Sequence, residues 1–396
     1  MGARILPTVV LALAVVGCSG GQADRTEAAR AGTDDAQRVV VDNAGGPIWT
    51  RETAWRLEED LRLGTAAAEG PEPEQFSDVV SVVSDSRGRI YVLDWMSQDI
   101  RVFHPDGTFS HTIGRKGRGP GEFAGAWVLT MGAGDTLWVL DDGTMRFSAF
   151  APDGAFLESH RRSIVGYGPP RQTILYDGGY IDWIPAFPDD RFGARIFFYP
   201  VRYAPGFERA DTFPPLEYTQ RMVANGSMPL MDYGGSIVAA AGADGSIWFA
   251  DSREYRIYRR SLEGDTTLVF SLPVTAPPLG EAEREYVRKR WARRPELRAE
   301  QLEALPETKP IVYGIVPDNA GHIYVFADVA GVPPGTFVDV FRESGEYLGR
   351  MALPMPVPLT PGRPPVVHAT LEHLYVVVSD GLDVPYVSRL RIIRGR

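Results

Sequence analysis

The chain has 396 residues, of which 44% are hydrophobic, 11% aromatic and 23% charged, a composition that excludes a disordered tail, a collagen-like rod and a multi-span membrane protein. Lys and Arg number 41 against 51 Asp and Glu, a net charge of −10, so the basic surplus expected of a duplex nucleic-acid binder is missing. One Cys excludes an intrachain disulfide, and 42 Gly with 32 Pro require frequent turns.

The N-terminus carries Arg4 and then an apolar stretch from Ile5 to Val16, interrupted only by Pro7 and Thr8. That is shorter than the roughly 20 apolar residues that span a bilayer, and it reads as the apolar region of a secretory signal. The stretch ends Val15-Val16-Gly17-Cys18, followed by Ser19 and two glycines. This run resembles the bacterial lipobox, in which cleavage precedes a Cys that is then acylated. The resemblance implies a signal peptide over 1–17, lipid on Cys18 and membrane attachment through it. Ser19, where Asp would favour inner-membrane retention, implies an outer-membrane lipoprotein of the cell envelope. Residues 18–48 are rich in Gly, Ala, Thr and Asp, and are expected to form a flexible tether.

From residue 49 onwards a repeat is expected. A turn followed by a short β-rich run, Asp85 to Asp94, has echoes at Gly134 to Asp141, Asp244 to Asp251, Gly321 to Val325 and His373 to Val376, with a weaker copy at Gly178 to Ile181. A second pattern of strand, turn and strand follows, as in Val102 to Phe109 and Ala149 to Phe156. The markers Ile90, Leu137, Tyr180, Ile247, Ile323 and Leu374 are spaced by 47, 43, 67, 76 and 51 residues. The short spacings match one four-stranded propeller blade, about 40–50 residues, and the Asp-Gly and Gly turns are hairpin chemistry. Six units predict six blades.

Ring closure is also written in the chain. Trp55 to Gly64, then Gly70-Pro71 and Phe76, parallels Phe109 to Gly114, then Gly119-Pro120 and Phe123. Residues 55–63 therefore read as an outer strand without a blade of its own. The last blade runs out after its third strand near Ile392, so the N-terminal strand is expected to supply its fourth and remove free sheet edges. Gly280 to Ala304 breaks the pattern with a charged, strand-poor run, read as a helical insertion over 280–305 interrupted at Pro295. The expected fold is all-β: a six-bladed β-propeller closed by an N-terminal strand, with one helical insertion.

These motifs resemble the NHL-type six-bladed propellers of bacteria, lipoproteins among them, over about residues 55–396. The resemblance implies the fold and not one activity. Such propellers include scaffolds that bind protein, carbohydrate or nucleic acid, and some lyases and lactone or ester hydrolases. A zinc-centred lyase would need histidines converging on the channel. Of the six, only His368 falls on an inner strand, whereas zinc usually takes three or four protein ligands. No metal and no cofactor is expected. Asp94, Asp141 and Asp251 recur at the end of each second strand and read as turn carboxylates binding loop amides. Gly114 to Gly121 is an inter-blade loop, with no following helix to make it a phosphate loop. From residue 49 onwards no Gly-x-Ser-x-Gly occurs.

The binding face is expected at the end of the ring where inter-blade loops gather. Blade one offers Trp95 and Gln98 there, its exit loop Arg115 and Arg118, blade three Trp183, Phe187 and Arg191, and blade four Ser252 and Arg253. Aromatic and Arg side chains are the usual interface anchors, although Trp95 and Trp183 would serve equally to pack neighbouring blades. The function expected is a lipid-anchored envelope binding or scaffold module for a protein or polysaccharide, not a nucleic acid. The alternative is a propeller hydrolase or lyase acting on a small envelope substrate.

Overall fold

Six antiparallel sheets stand around a common axis in the computed structural model. It describes residues 38–65, 72–162, 173–174, 179–187, 194–204, 206, 208–223, 229–230, 232–242, 244–318, 320–360 and 362–395. From the axis outwards, blade one is Val79–Ser84, Ile90–Asp94, Asp99–Phe103 and Phe109–Ile113. Blade two is Ala126–Met131, Leu137–Asp141, Arg146–Phe150 and Phe156–Arg161. Blade three starts with the short Thr173–Ile174 and Tyr180–Ala186. Its third strand, Arg195–Tyr203, pairs with both Arg209–Thr212 and Leu216–Thr219. Blade four is Ile237–Ala241, Ile247–Asp251, Arg256–Arg260 and Thr266–Ser271. Blade five is Val312–Pro317, His322–Ala327, Phe337–Arg342 and Tyr347–Ala352.

The second strands explain why the repeat shows in the sequence. Ile90-Tyr91-Val92-Leu93 is buried throughout, because a strand inside a blade is covered on both faces. Successive side chains take opposite sides: Tyr91 and Leu93 pack against blade two, while Ile90 and Val92 pack against blade six. The apolar core is therefore divided among the seams between neighbouring blades, and the ring is stable only if every seam is filled.

Blade six consists of Val367–Ala369, His373–Ser379, Pro385–Ile393 and, from the other end of the chain, Arg56–Leu63. The pairing is antiparallel, from Arg56 opposite Ile393 to Leu63 opposite Val387. One strand serves two seams, since Leu57 packs against blade five and Leu63 against blade one. The expected closure is present.

The expected tether over 18–48 ends sooner than its composition implies. Val39–Asp42 pairs in parallel with Leu268–Ser271 as a fifth strand on blade four. Asn43 then bridges to blade five: its Nδ2 donates to the carbonyls of Ser271 and Gly345 at 3.2 and 3.1 Å, and its Oδ1 accepts from the Tyr347 amide at 2.9 Å. The Trp49 amide donates to the Leu348 carbonyl at 2.8 Å. Trp49 lies against Trp55 at 5.1 Å, and Trp55 meets the His322 ring at 4.9 Å. Val39 and Val40 remain exposed. Backbone hydrogen bonds hold this strap, and apolar composition does not report them.

Gly349 sits at φ 152°, and a Cβ there would lie 2.5 Å from the Trp49 ring. Gly349→Ala should destabilise the protein by roughly 1–3 kcal/mol, the scale of a strained backbone position, read as a lower urea midpoint at unchanged m. Removing residues 38–64 should cost several kcal/mol more, at about 25 cal/mol per Å² of apolar surface exposed. A truncated chain that melts with the parent would show that Arg56–Leu63 does not close the ring.

Candidate functional site

The inner strands are built from small side chains, and they leave an axial channel of about 1200 Å³. Blades one, two and five each carry a bulge near the start of the inner strand, at Val80, Trp127 and Tyr313, which bends that strand where the channel opens. Val82, Val128, Val238, Ala240, Val316 and Val367 give the wall an apolar character.

Polar side chains interrupt this wall, Ser81, Thr130 and Tyr313 among them, and four gather at the seam between blades six and one. His368, Tyr375 and Arg389 stand opposite one another in the register of blade six. Across the seam, the Ser84 Oγ of blade one lies 3.1 Å from His368 Nε2. The Tyr375 ring lies 5.7 Å from that of His368. Arg389 is fixed in turn, its Nε on Asp60 Oδ1 at 2.8 Å and its Nη1 on the Pro105 carbonyl at 2.7 Å. Ser84, His368, Tyr375 and Arg389 all line the channel. Burial pushes the His368 pKa down to about 4, so its imidazole is neutral at ordinary pH. Burial raises that of Tyr375, against the opposing pull of Ser84 and Arg389.

The inter-blade end is held by the recurrent carboxylates. Asp94 accepts from the amides of Ser77 at 2.6 Å and Met96 at 2.9 Å. Asp141 accepts from Ala124 at 2.8 Å and Thr144 at 3.0 Å. Asp251 accepts from the Arg253 amide at 3.0 Å and from its Nε at 2.8 Å, and Ser252 Oγ takes the Ser236 amide at 2.8 Å.

Of the binding-face candidates within the described residues, only Ser252 lines the channel. Trp95 is 40% exposed on the loop that follows Asp94. Gln98 is only 4% exposed; its Nε2 donates to the Trp95 carbonyl at 2.7 Å and its Oε1 accepts from the Ala126 amide at 2.8 Å, so it joins blade one to blade two. Arg115 is exposed and pairs with Glu122 at 2.8 Å. The Arg118 side chain is exposed, while its amide donates to Glu122 at 3.1 Å. Arg253 also lies over the Tyr218 ring at 5.1 Å. Trp183 is 3% exposed, because the second strand of blade three runs on to Ala186 and turns it into the seam with blade four. Its expected loop position is thus corrected. Phe187 packs against the same seam. Cys18 and Arg191 lie outside the described residues.

The insertion folds as α1 (Glu281–Arg290) and α2 (Pro295–Glu303), with Pro295 at the first turn of the second. Trp291 Nε1 donates to Asp232 Oδ2 at 2.7 Å, and the Arg290 Nε meets Asp232 Oδ1 at 3.2 Å. The next residue, Tyr233, lines the channel at φ 58°. This anchors the insertion beside the inter-blade end.

Ser84, Tyr375 and Arg389 are not foreseen from the sequence. The signal that pointed towards them was His368, the one histidine on an inner strand, taken together with the closure that brings blade six against blade one. Among the described residues, no three His, Cys, Asp or Glu side chains converge as metal ligands, and no helix is long and apolar enough to cross a membrane.

A profile of a six-bladed β-propeller family, DUF5128, matches residues 75–271. Fold and profile together define the chain as a six-bladed β-propeller. It is similar to the structure of a candidate exported protein from Bacteroides fragilis, at 12% identity and a TM-score of 0.55, over 90% of this chain and 99% of that one. It is also similar to virginiamycin B lyase from Staphylococcus aureus, at 11% identity and a TM-score of 0.47, over 86% and 100% of the two chains. A gluconolactonase from Xanthomonas campestris gives 12% identity and a TM-score of 0.45, over 81% and 87%. At such identities the likeness is one of fold. No curated protein sequence matches the chain.

Gln98 should behave as a structural residue. Gln98→Ala leaves two backbone groups without partners and should cost about 1–3 kcal/mol, whereas Arg118→Ala should change stability by less than about 0.5 kcal/mol. Equal urea midpoints for the two variants would contradict these roles.

Proposed function

We propose that the protein is an NHL-type envelope propeller, held at the outer membrane by lipid on Cys18, which binds a small envelope molecule such as a saccharide in its central channel. The observation that carries this reading is the channel itself. Its volume of about 1200 Å³ is somewhat above the roughly 300–1,000 Å³ of common small-ligand cavities, and its wall combines apolar strand side chains with polar groups, the usual make-up of such sites. The net charge of −10 disfavours nucleic acid. Exposed Trp95 and Arg118, outside the channel, remain available for a protein or polysaccharide contact.

Two measurements test this. Cys18→Ser should move the protein from the membrane fraction to the soluble one; a membrane-bound variant, with unmodified Cys18 in the parent, would defeat the anchor. Purified protein mixed with a small-molecule extract of the envelope should retain specific compounds on ultrafiltration. Ala240→Phe, which narrows the channel, should lower that retention tenfold or more, about 1.4 kcal/mol, with little change in Tm. Equal retention by both proteins would place the ligand elsewhere.

A further inference from the structure

The repeat supplies its own control for the polar group in the channel wall. The last residue of each inner strand pairs with the first or second residue of the second strand: Ser84 with Ile90, Met131 with Leu137, Ile174 with Tyr180, Ala241 with Ile247, Pro317 with Ile323 and Ala369 with Leu374. Ser84 is the polar member of an apolar set. One step earlier, His368 pairs with Tyr375, where blades one, two, four and five place Val83 opposite Tyr91, Thr130 opposite Trp138, Ala240 opposite Trp248 and Val316 opposite Tyr324, and blade three places Thr173 opposite Ile181. The aromatic partner is repeated, and the histidine is not.

The tyrosine has also been released from its carboxylate. In blades one and five the hydroxyls of Tyr91 and Tyr324 donate to loop carboxylates, Asp85 at 3.1 Å and Asp318 at 3.4 Å. Those aspartates occupy the turn position filled by Thr370 in blade six. Tyr375 there stands between His368 and Arg389 in the register, with its ring 5.7 Å from that of His368.

We propose that Ser84 is the nucleophile of an acyl-transfer site in the channel, with His368 as its base, acting on esters or lactones of a largely apolar acyl group. The proposal rests on the channel taking a small ligand. Donor inventory orders the protons. The Ser84 hydroxyl and the neutral His368 Nε2 share one hydrogen bond of 3.1 Å. Ser84 offers its proton to His368 Nε2, the arrangement of an activated hydroxyl. In the reaction, the Ser84 Oγ–carbonyl carbon bond forms as the proton passes to His368 Nε2. The ester C–O bond then breaks, and the leaving oxygen takes that proton. Water repeats the sequence: its proton goes to His368, its oxygen bonds to the acyl carbon, the Oγ–carbon bond breaks, and Ser84 recovers the proton. The apolar walls from Val82 and Val367 suit the acyl group.

The test uses the full chain and a fluorophosphonate. Its phosphorus–fluorine bond breaks as an activated serine oxygen bonds to phosphorus, while an ordinary surface serine is inert. The parent should gain one phosphonyl group, mapped by peptide mass to Ser84. Ser84→Ala should abolish labelling, and His368→Gln should slow it 100-fold or more, the scale of a lost general base. The rate should hold level from pH 8 to about 5.5 and fall as pH approaches 4, where His368 gains its proton. Tyr375, and beyond it Arg389, His373 and Asp60, are the ionisable groups around that ring. An unlabelled parent, label on another serine, or a rate indifferent to pH would overturn the proposal. Failure of small-molecule retention, with Ser84 still labelled, would instead overturn the ligand reading and leave the nucleophile standing.

Discussion

The pairing of Arg56–Leu63 with Pro385–Ile393 is the constraint on which the rest of the molecule depends. A ring of blades has no central core; its apolar surface is shared among seams, and each seam needs both its walls. Blade six has three strands of its own, so without the N-terminal strand Leu57 and Leu63 leave two seams at once. The channel wall depends on the same event. Ser84 and His368 are 284 residues apart in sequence and 3.1 Å apart in space, and only closure makes them neighbours.

The strap from Val39 to Trp49 extends this logic along the rim. It runs from blade four over blade five to the closing strand, and its Asn43 satisfies backbone groups of two blades. A chain leaving the propeller at this point cannot pull on the closing strand without first breaking a parallel ladder and the Asn43 bonds. Any load on the N-terminus therefore falls on the strap before it reaches the strand that closes the ring.

The number of blades was legible because second strands are buried on both faces, and runs such as Ile90 to Leu93 and Leu137 to Leu140 carry that burial in composition. The closing strand was legible because its exit loop copies that of blade one. The strap was not, because Val39–Asp42 is held by hydrogen bonds of the backbone, to which every residue type contributes alike. Trp183 was misplaced for a different reason: blade three has longer strands, and the added alternation puts an apparent loop residue into a seam. Gln98 looked like a surface amide because nothing in sequence shows that its carbonyl takes the Ala126 amide. The channel group was half legible. His368 stood out on its inner strand, but Ser84, Tyr375 and Arg389 lie on three other strands, and periodicity along the chain carries no information across a closed seam.

Why a polar pair should persist in this wall is an energetic question. Burying Ser84 and His368 gives up hydration that one hydrogen bond only partly returns, since such a bond is worth about 1 kcal/mol net. Elsewhere the Ser84 level holds Met131, Ala241, Pro317 and Ala369, and the His368 level holds Val83, Ala240 and Val316 beside Thr130 and Thr173, so the fold has an apolar solution that most blades use. Stability therefore gives no reason for the exception. Around the pair, the loop aspartate that occupies the tyrosine hydroxyl in blades one and five gives way to Thr370, and Arg389 beside Tyr375 is fixed by Asp60 and the Pro105 carbonyl. Ser84 and His368 are the two departures, and they meet in one hydrogen bond; with the blades serving as one another's reference, that pair is the observation on which the proposed nucleophile rests.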